Sequence, residues 1–583
     1  MTHLTRLVQQ NIHEAARLCI RSLVCTVGFF AFLVVPSLSK AAPVPAKSSK
    51  LFLWVEGPTQ DFKRVGIPVL EQDGKKAFAT LSPALFQNYL ERGASLIVRE
   101  AVELPLPKPF LSLAEIEAEM ARLAKTYPNH VELVKLSDRF KVPLTVEGRT
   151  VLALRIHSKK SSQPAPAVLL DSIHHAREVI TPLVMMDAAK MLAEEYGKDP
   201  KVTKWVDHYD IWIVPIVNPD GYHYMFTKNP YWRKNRRKNA NGTYGVDLNR
   251  NYPFFWGKCG NHSANPDSEI YKGKAPASEP EVQALVALGV ATQPQLYLTY
   301  HSYGNDIVRP YVCATVGDEK LVQAVTQEMA TAAGYKFRRA SSSGESFEHF
   351  YNLYGSLSYL IEVGTVFHPE PADVPTLIAR ARTTWTTLLE RGMQSSILFQ
   401  VVDKQTKQPL LANIQIDEVK FVNQEIRRTL AQTGFFAWTL IPGSYTVRIS
   451  ASGYKTWTKK LQLAKSSLLR LTVELEAGAD VDNEVTVDEQ PEGKEPSNEP
   501  EASEESVRES LPEKSPAEKA AEAPTEPQNS ETSKGNEGNV APDTSTLEKP
   551  AGEGCQCGSA EATSWWAWFL LLLIGLRVRR RYT

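Results

Sequence analysis

The chain has 583 residues, too many for one domain of ordinary size, so three or four segments are expected. Its 66 basic and 66 acidic residues cancel formally. The acidic excess is gathered in the tract 476–554, which leaves a basic remainder too dispersed to form a nucleic-acid footprint.

In chain order, residues 1–41 read as a secretory signal. Arg6, Arg17 and Arg21 precede the apolar run "SLVCTVGFFAFLVV", and "SKA" supplies small residues before a cut after Ala41. This run of fourteen residues makes only about 21 Å of helix, short of a membrane span. Residues 45–105 carry a strand, a helix "LSPALFQNYLERG" and a strand "SLIVRE", a small α+β unit that is a candidate pro-segment. Of six cysteines, only Cys259 and Cys313 fall in the body of the chain, and an exported chain would let them pair.

From residue 110 to 395 helical and strand patterns alternate. "SLAEIEAEMARLAKTYP" is a helix under a serine cap, and "TVLALRIH", "AVLLDSI", "DIWIVPIV", "QLYLTYH" and "LSYLIEVG" are buried strands. This alternation predicts one α/β domain with a parallel or mixed sheet. Residues 396–475 change to period-two alternation ("SILFQVVD", "ANIQIDEV", "FFAWTL", "SYTVRISA", "LLRLTVEL") with turns at "IPGS" and "ASGY", which predicts a small β-sandwich. Residues 476–554 contain no aromatic residue and cannot bury enough apolar surface to fold, so they read as a solvated linker. Residues 555–583 join a cysteine pair, an apolar run and an arginine cluster into a sorting or membrane tail.

The chemistry gathers where strand patterns stop. In "DSIHHAREVI", between the strand "AVLL" and the amphipathic pattern "VITPLVMMDAAKMLAEEYG", His175 and Glu178 are three residues apart and able to hold one metal ion from a single turn. A catalytic zinc ion takes three protein ligands, and His301, at the end of "QLYLTYH", is the candidate third. Glu362 lies inside the apolar run "LSYLIEVG", where desolvation would raise its pKa and suit it to act as a general base. Arginine and asparagine concentrate in "NPYWRKNRRKN" and "VDLNRNYPFFWG", a composition that can recognise an acidic group.

Taken together, "HARE", "NPDGY", "YWRKNRR", "DLNRN", "YKG…SEPE", "HSYG" and the strand carrying Glu362 resemble, in order and spacing, the zinc metallocarboxypeptidases of the carboxypeptidase A/B type. The resemblance implies a mixed eight-stranded sheet flanked by helices, and one zinc ion held by His175, Glu178 and His301. It implies Glu362 as general base and Arg233 as the group facing the oxyanion. Asn249 and Arg250 would grip a substrate's C-terminal carboxylate, with Arg177 and Tyr303 as further substrate contacts. His174 has no ligand role in the match. The expected activity is hydrolysis of the last peptide bond of peptides and proteins.

Two positions depart from the family pattern. Ala340 stands where a mobile tyrosine is usual, and Asp267 stands where a cysteine often pairs with the one at 259. The loop "SGESF" offers both Glu345, which invites a basic side chain, and Phe347, which invites an apolar one, so the preference stays open. The β-domain resembles the transthyretin-like regulatory type and the tail resembles MYXO-CTERM sorting signals, which implies attachment to the cell envelope. The alternatives are a peptidoglycan-type γ-glutamyl peptidase or amidase, and a non-catalytic surface binding protein. Neither HExxH nor GxSxG occurs in the chain.

Overall fold

The structure, a computed structural model, describes residues 104–160 and 163–478, with the backbone of 51–56, 69–73, 76–81 and 97–103. The expected signal, linker and tail lie outside the described residues, as does the helix expected near residues 81–93. Strands β1 (Leu51–Glu56), β2 (Val69–Asp73), β3 (Lys76–Leu81) and β4 (Ile97–Glu103) form an antiparallel sheet in the order β2-β3-β1-β4.

The next segment opens with α1 (Leu113–Thr126). Ser112 caps it, and the Glu115 side chain returns to the Ser112 N–H (2.8 Å), closing a capping box. There follow β5 (Val131–Lys135), α2 (Leu136–Phe140), β6 (Leu152–Ile156), β7 (Ala167–Ser172), α3 (Thr181–Glu194), α4 (Pro200–His208), β8 (Asp210–Val214) and α5 (Pro219–Thr227). Beyond them come α6 (Pro280–Thr292), β9 (Leu296–His301), β10 (Asp306–Arg309), α7 (Glu319–Ala333), β11 (Lys336–Arg339), α8 (Ser346–Tyr354), β12 (Leu357–Glu362) and α9 (Val374–Gly392).

The eight strands form one mixed sheet in the order β11-β10-β12-β9-β7-β8-β6-β5. Its centre, β12-β9-β7-β8, is parallel, and β6 and β5 add antiparallel at one edge. Every residue of β7 and β9 is buried because helices cover both faces. Val168 and Leu170 join the apolar layer under α1, α3 and α9, whereas Leu169 faces the layer under α6 and α8. Helix α3 departs from its amphipathic expectation. Ten of its fourteen residues are buried, since α1 and α9 pack over the face that a surface helix would leave wet. The strands with no clear sequence signal, β5, β10 and β11, lie toward the sheet edges, and all four residues of β11 are exposed.

Strands β13 (Ser396–Asp403), β14 (Asn413–Ile416), β15 (Phe435–Thr439), β16 (Gly443–Ser450), β17 (Trp457–Leu463) and β18 (Leu468–Leu475) form two three-stranded sheets, β15-β13-β18 and β14-β16-β17. Ile397, Phe399, Val401, Trp438, Val447 and Ile449 are among the side chains filling the space between them. The sandwich docks on the α/β segment through buried hydrogen bonds. Gln295 Nε2 donates to Thr439 Oγ1 (2.8 Å), and Arg427 Nη1 donates to the Asn352 carbonyl (2.7 Å).

Candidate active site

Parallel strands put the ends of β7, β9 and β12 on one edge of the sheet, where α/β folds place their ligand sites. His301 and Glu362, the last residues of β9 and β12, are register partners. Beyond β7 the chain turns through Ile173, a buried β-branched residue with φ 57°. That left-handed conformation is costly for such a side chain and is tolerated where the surroundings enforce it. Here the N–H groups of Val217 and Asn218 donate to the Ser172 and Ile173 carbonyls (both 3.0 Å), and the turn delivers His174 and His175 to the sheet edge.

The adjacent histidines have different surroundings. His174 is completely buried, with Nε2 2.8 Å from the Tyr252 hydroxyl and Nδ1 3.3 Å from Thr299 Oγ1. His175 instead points Nδ1 at Glu178 Oε1 (2.8 Å) and at His301 Nδ1 (3.0 Å), and His301 Nδ1 lies 3.1 Å from Glu178 Oε2. Ligand atoms around a tetrahedral zinc ion at about 2.0–2.1 Å would stand roughly 3.3 Å apart, so this cluster is close to the required size. Two buried imidazole nitrogens facing each other beside a carboxylate are a poor arrangement without a cation and a fitting one with it. Burial and the Arg233 charge push His175 down to about 4, and His301 down to about 3, keeping both rings neutral as ligands must be.

One residue that sequence reasoning left unassigned organises this cluster. Asp247, fully buried, lies with Oδ1 3.1 Å from His175 Nε2, while Oδ2 accepts from Arg233 Nη2 (2.7 Å) and Nε (3.2 Å). Its Oδ1 also accepts from the Asn249 N–H (3.0 Å), at the start of the 3₁₀ turn Leu248–Arg250. Burial alone would raise this carboxyl. The charges of Arg233 and Arg250, with the hydrogen bond to His175, outweigh burial and hold it well below the usual carboxylate range. The only sequence sign of Asp247 was its place in "DLNRN", two residues before Asn249.

A cavity of about 330 Å³ opens over the cluster, lined by His175, Glu178, His301, Glu362, Arg177, Arg233, Asn249, Arg250 and Tyr303, all nine site residues expected from sequence. Glu362 is 17 % exposed, and burial together with the nearby Glu178 charge pushes its carboxyl up to about 8. Arg250, also on the cavity wall, donates from Nε to the Asn261 carbonyl (2.7 Å) and from Nη1 to the Asn249 carbonyl (2.7 Å) and Glu345 Oε1 (2.9 Å). Asn249 Oδ1 accepts from the Ser346 N–H (2.9 Å). Arg177 donates to Glu269 Oε2 (2.5 Å) and lies 4.5 Å from the Phe367 ring centre, and Tyr303 packs edge-on against the same ring.

Of the two candidate specificity residues, Glu345 lines the cavity, whereas Phe347 is fully buried in the apolar layer behind it. Ala340 is buried, and the neighbouring edge strand instead sends Arg338 to the cavity, where Nη2 stands 3.6 Å from Glu362 Oε1. Glu269 and Arg338 carried no legible sequence signal, because ordinary charged residues in a loop and on an edge strand gain meaning only from what they face. Cys259 is disulfide-bonded to Cys313 (Cα–Cα 6.2 Å), and Asp267 is an exposed residue accepting from Asn241 Nδ2 (2.9 Å).

A family model described as zinc carboxypeptidase matches residues 116–362. The chain is 40% identical over 174 residues to metallocarboxypeptidase A of Trichophyton tonsurans, a match covering 28% of this chain and 40% of that protein. It is 32% identical over 293 residues to carboxypeptidase A2 of Rattus norvegicus, covering 48% of this chain and 68% of that one. Among solved structures, that of thrombin activatable fibrinolysis inhibitor aligns with TM-score 0.49 and 22% identity over 58% of this chain and 98% of that one. With the family motif matched from 116 to 362 and two thirds of a rat carboxypeptidase aligned, the chain belongs to the zinc carboxypeptidase family.

Proposed function

We propose that the protein is an exported zinc-dependent carboxypeptidase that removes residues singly from the free C-termini of peptides and proteins. The observation that carries this reading is a single cavity lined both by the His175–Glu178–His301 cluster and by Arg250 and Asn249. His175, Glu178 and His301 would hold the zinc ion, which when bound lowers the pKa of water and polarises the scissile carbonyl.

The remaining work falls to side chains of this chain. Arg250 and Asn249 bind the terminal carboxylate and set its distance from the metal cluster, so that only the last peptide bond is in reach. Glu362 takes a proton from the attacking water and returns it to the leaving amine nitrogen. Arg233, oriented by Asp247, donates to the oxygen on which negative charge develops. Arg177 and Tyr303 line the approach and hold the rest of the peptide.

The N-terminal signal supports export. The acidic tract and the cysteine–apolar–arginine tail support display on the cell envelope, and the sandwich at 396–475 fits a transthyretin-like packing or interaction role. A γ-glutamyl peptidase or amidase is disfavoured by Arg250 beside Asn249, which suits a free α-carboxylate. A non-catalytic binding protein is disfavoured because all three ligand residues and Glu362 are in place.

The test compares zinc-loaded enzyme on a peptide with a free C-terminus and on the same peptide amidated. The free acid should be trimmed residue by residue and the amide left intact, and Arg250→Ala should weaken cleavage of the acid by about 10²-fold or more. Rapid cleavage of the amide by the parent enzyme would refute the exopeptidase reading.

A further inference from the structure

Arg250, assigned above to the substrate carboxylate, already has a carboxylate partner. Glu345 Oε1 accepts from its Nη1 at 2.9 Å, and both side chains are less than a tenth exposed. The second oxygen, Glu345 Oε2, makes no hydrogen bond among the described residues, and Glu345 lies on the cavity wall together with Val308 and Leu360. Burial pushes the Glu345 carboxyl up to about 7 against the attraction of Arg250.

A substrate carboxylate arriving at Arg250 competes with Glu345 for the guanidinium. If the terminal side chain is apolar, the displaced Glu345 is left buried beside an incoming negative charge, a costly outcome for any carboxylate. If the terminal side chain ends in a cation, two ion pairs replace one: Arg250 with the carboxylate and Glu345 with the side chain. Every charge then has a partner. Val308 and Leu360 offer apolar walls for the aliphatic stem of such a side chain, which lysine and arginine bury readily. Phe347, the residue that would favour an apolar terminus, is sealed in the core and absent from the wall.

Resting on the carboxypeptidase reading, we propose that Glu345 is the specificity-determining residue and that the enzyme selects C-terminal lysine and arginine. The Glu345–Arg250 pair is the resting partner arrangement that a basic terminal residue exchanges and an apolar one disrupts.

The test uses two peptides alike except for the last residue, lysine in one and norleucine in the other, which keeps the stem and removes the ammonium. The parent enzyme should show kcat/KM at least tenfold higher on the lysine peptide. In Glu345→Gln that ratio should fall to near one, since the amide keeps the shape and loses the charge; if this variant folds poorly, the parent ratio alone decides. A parent ratio at or below one, with norleucine released from the free acid, overturns the specificity proposal and leaves the carboxypeptidase reading standing. A ratio unchanged in a folded Glu345→Gln variant shows that Glu345 only braces Arg250, and also overturns it. Release of neither residue by zinc-loaded enzyme refutes the carboxypeptidase reading and the specificity proposal together.

Discussion

Replacing Asp247 by asparagine probes the centre of the site with almost no change of shape. The carboxylate meets four groups: His175 Nε2 and the Asn249 N–H at Oδ1, and two Arg233 N–H groups at Oδ2. An amide has one acceptor oxygen, so one side of this arrangement must meet an NH₂ group instead. If the oxygen stays with His175, the NH₂ faces the guanidinium and two charge-assisted hydrogen bonds are lost, each worth about 1.5–3 kcal/mol. Breaking a buried ion pair on one side costs about 3–5 kcal/mol, in the same range. Arg233 would then leave its place, and turnover should fall about 10²- to 10³-fold, the usual effect of losing an oxyanion donor. If the amide turns the other way, His175 loses the acceptor that orients its ring, and zinc affinity should fall about 10- to 100-fold. Competition against a chelator gives the zinc affinity, and steady-state hydrolysis of a free-acid peptide at saturating zinc gives the turnover. Asp247→Asn with both quantities within about threefold of the parent would refute the role assigned to Asp247, since either orientation must lose one of them.

Glu362→Gln should retain zinc while turnover drops about 10²- to 10⁴-fold, and full activity in a zinc-loaded variant would remove Glu362 from the base role. A pH effect is expected away from the cavity, at Glu281, which is fully buried and pushed up to about 8 by burial and by the neighbouring Glu279. A carboxyl raised in the folded state contributes stability that is complete below its ordinary value of 4.5 and is lost as pH rises through about 8. Glu281→Gln mimics the protonated form, so its melting temperature relative to the parent should climb across that window by several degrees; a pH-independent difference would count against the shift.

The legible part of the fold was its interior. Strands β6, β7, β8, β9 and β12 are largely apolar runs because both of their faces are covered, and α1 announced itself by its serine cap. Strands β10, β11 and β17 were not legible. The first two are four residues long, and β17 reads "WTKKLQL", with polar residues on most positions, so its strand state comes from pairing with β16. Helix α3 looked amphipathic because periodicity shows which face must be buried and not whether a neighbour covers the other.

The candidate site divides in the same way. Residue types at strand ends marked His175, Glu178, His301 and Glu362 as candidates, because histidine and glutamate in such apolar surroundings are costly unless they act together, and the family resemblance supplied their roles. By itself, then, the sequence determined the α/β class and offered these four residues as candidates. Tertiary structure alone decided that His174 turns away to Tyr252, that Asp247 joins His175 to Arg233, that Cys259 meets Cys313, and that Glu345 rather than Phe347 faces the cavity. Those outcomes depend on which side chains arrive together from positions 14 to 95 residues apart. Composition and periodicity describe each segment against solvent and core, whereas a pairwise contact between distant segments exists only once the sheet has brought its strand ends to one edge.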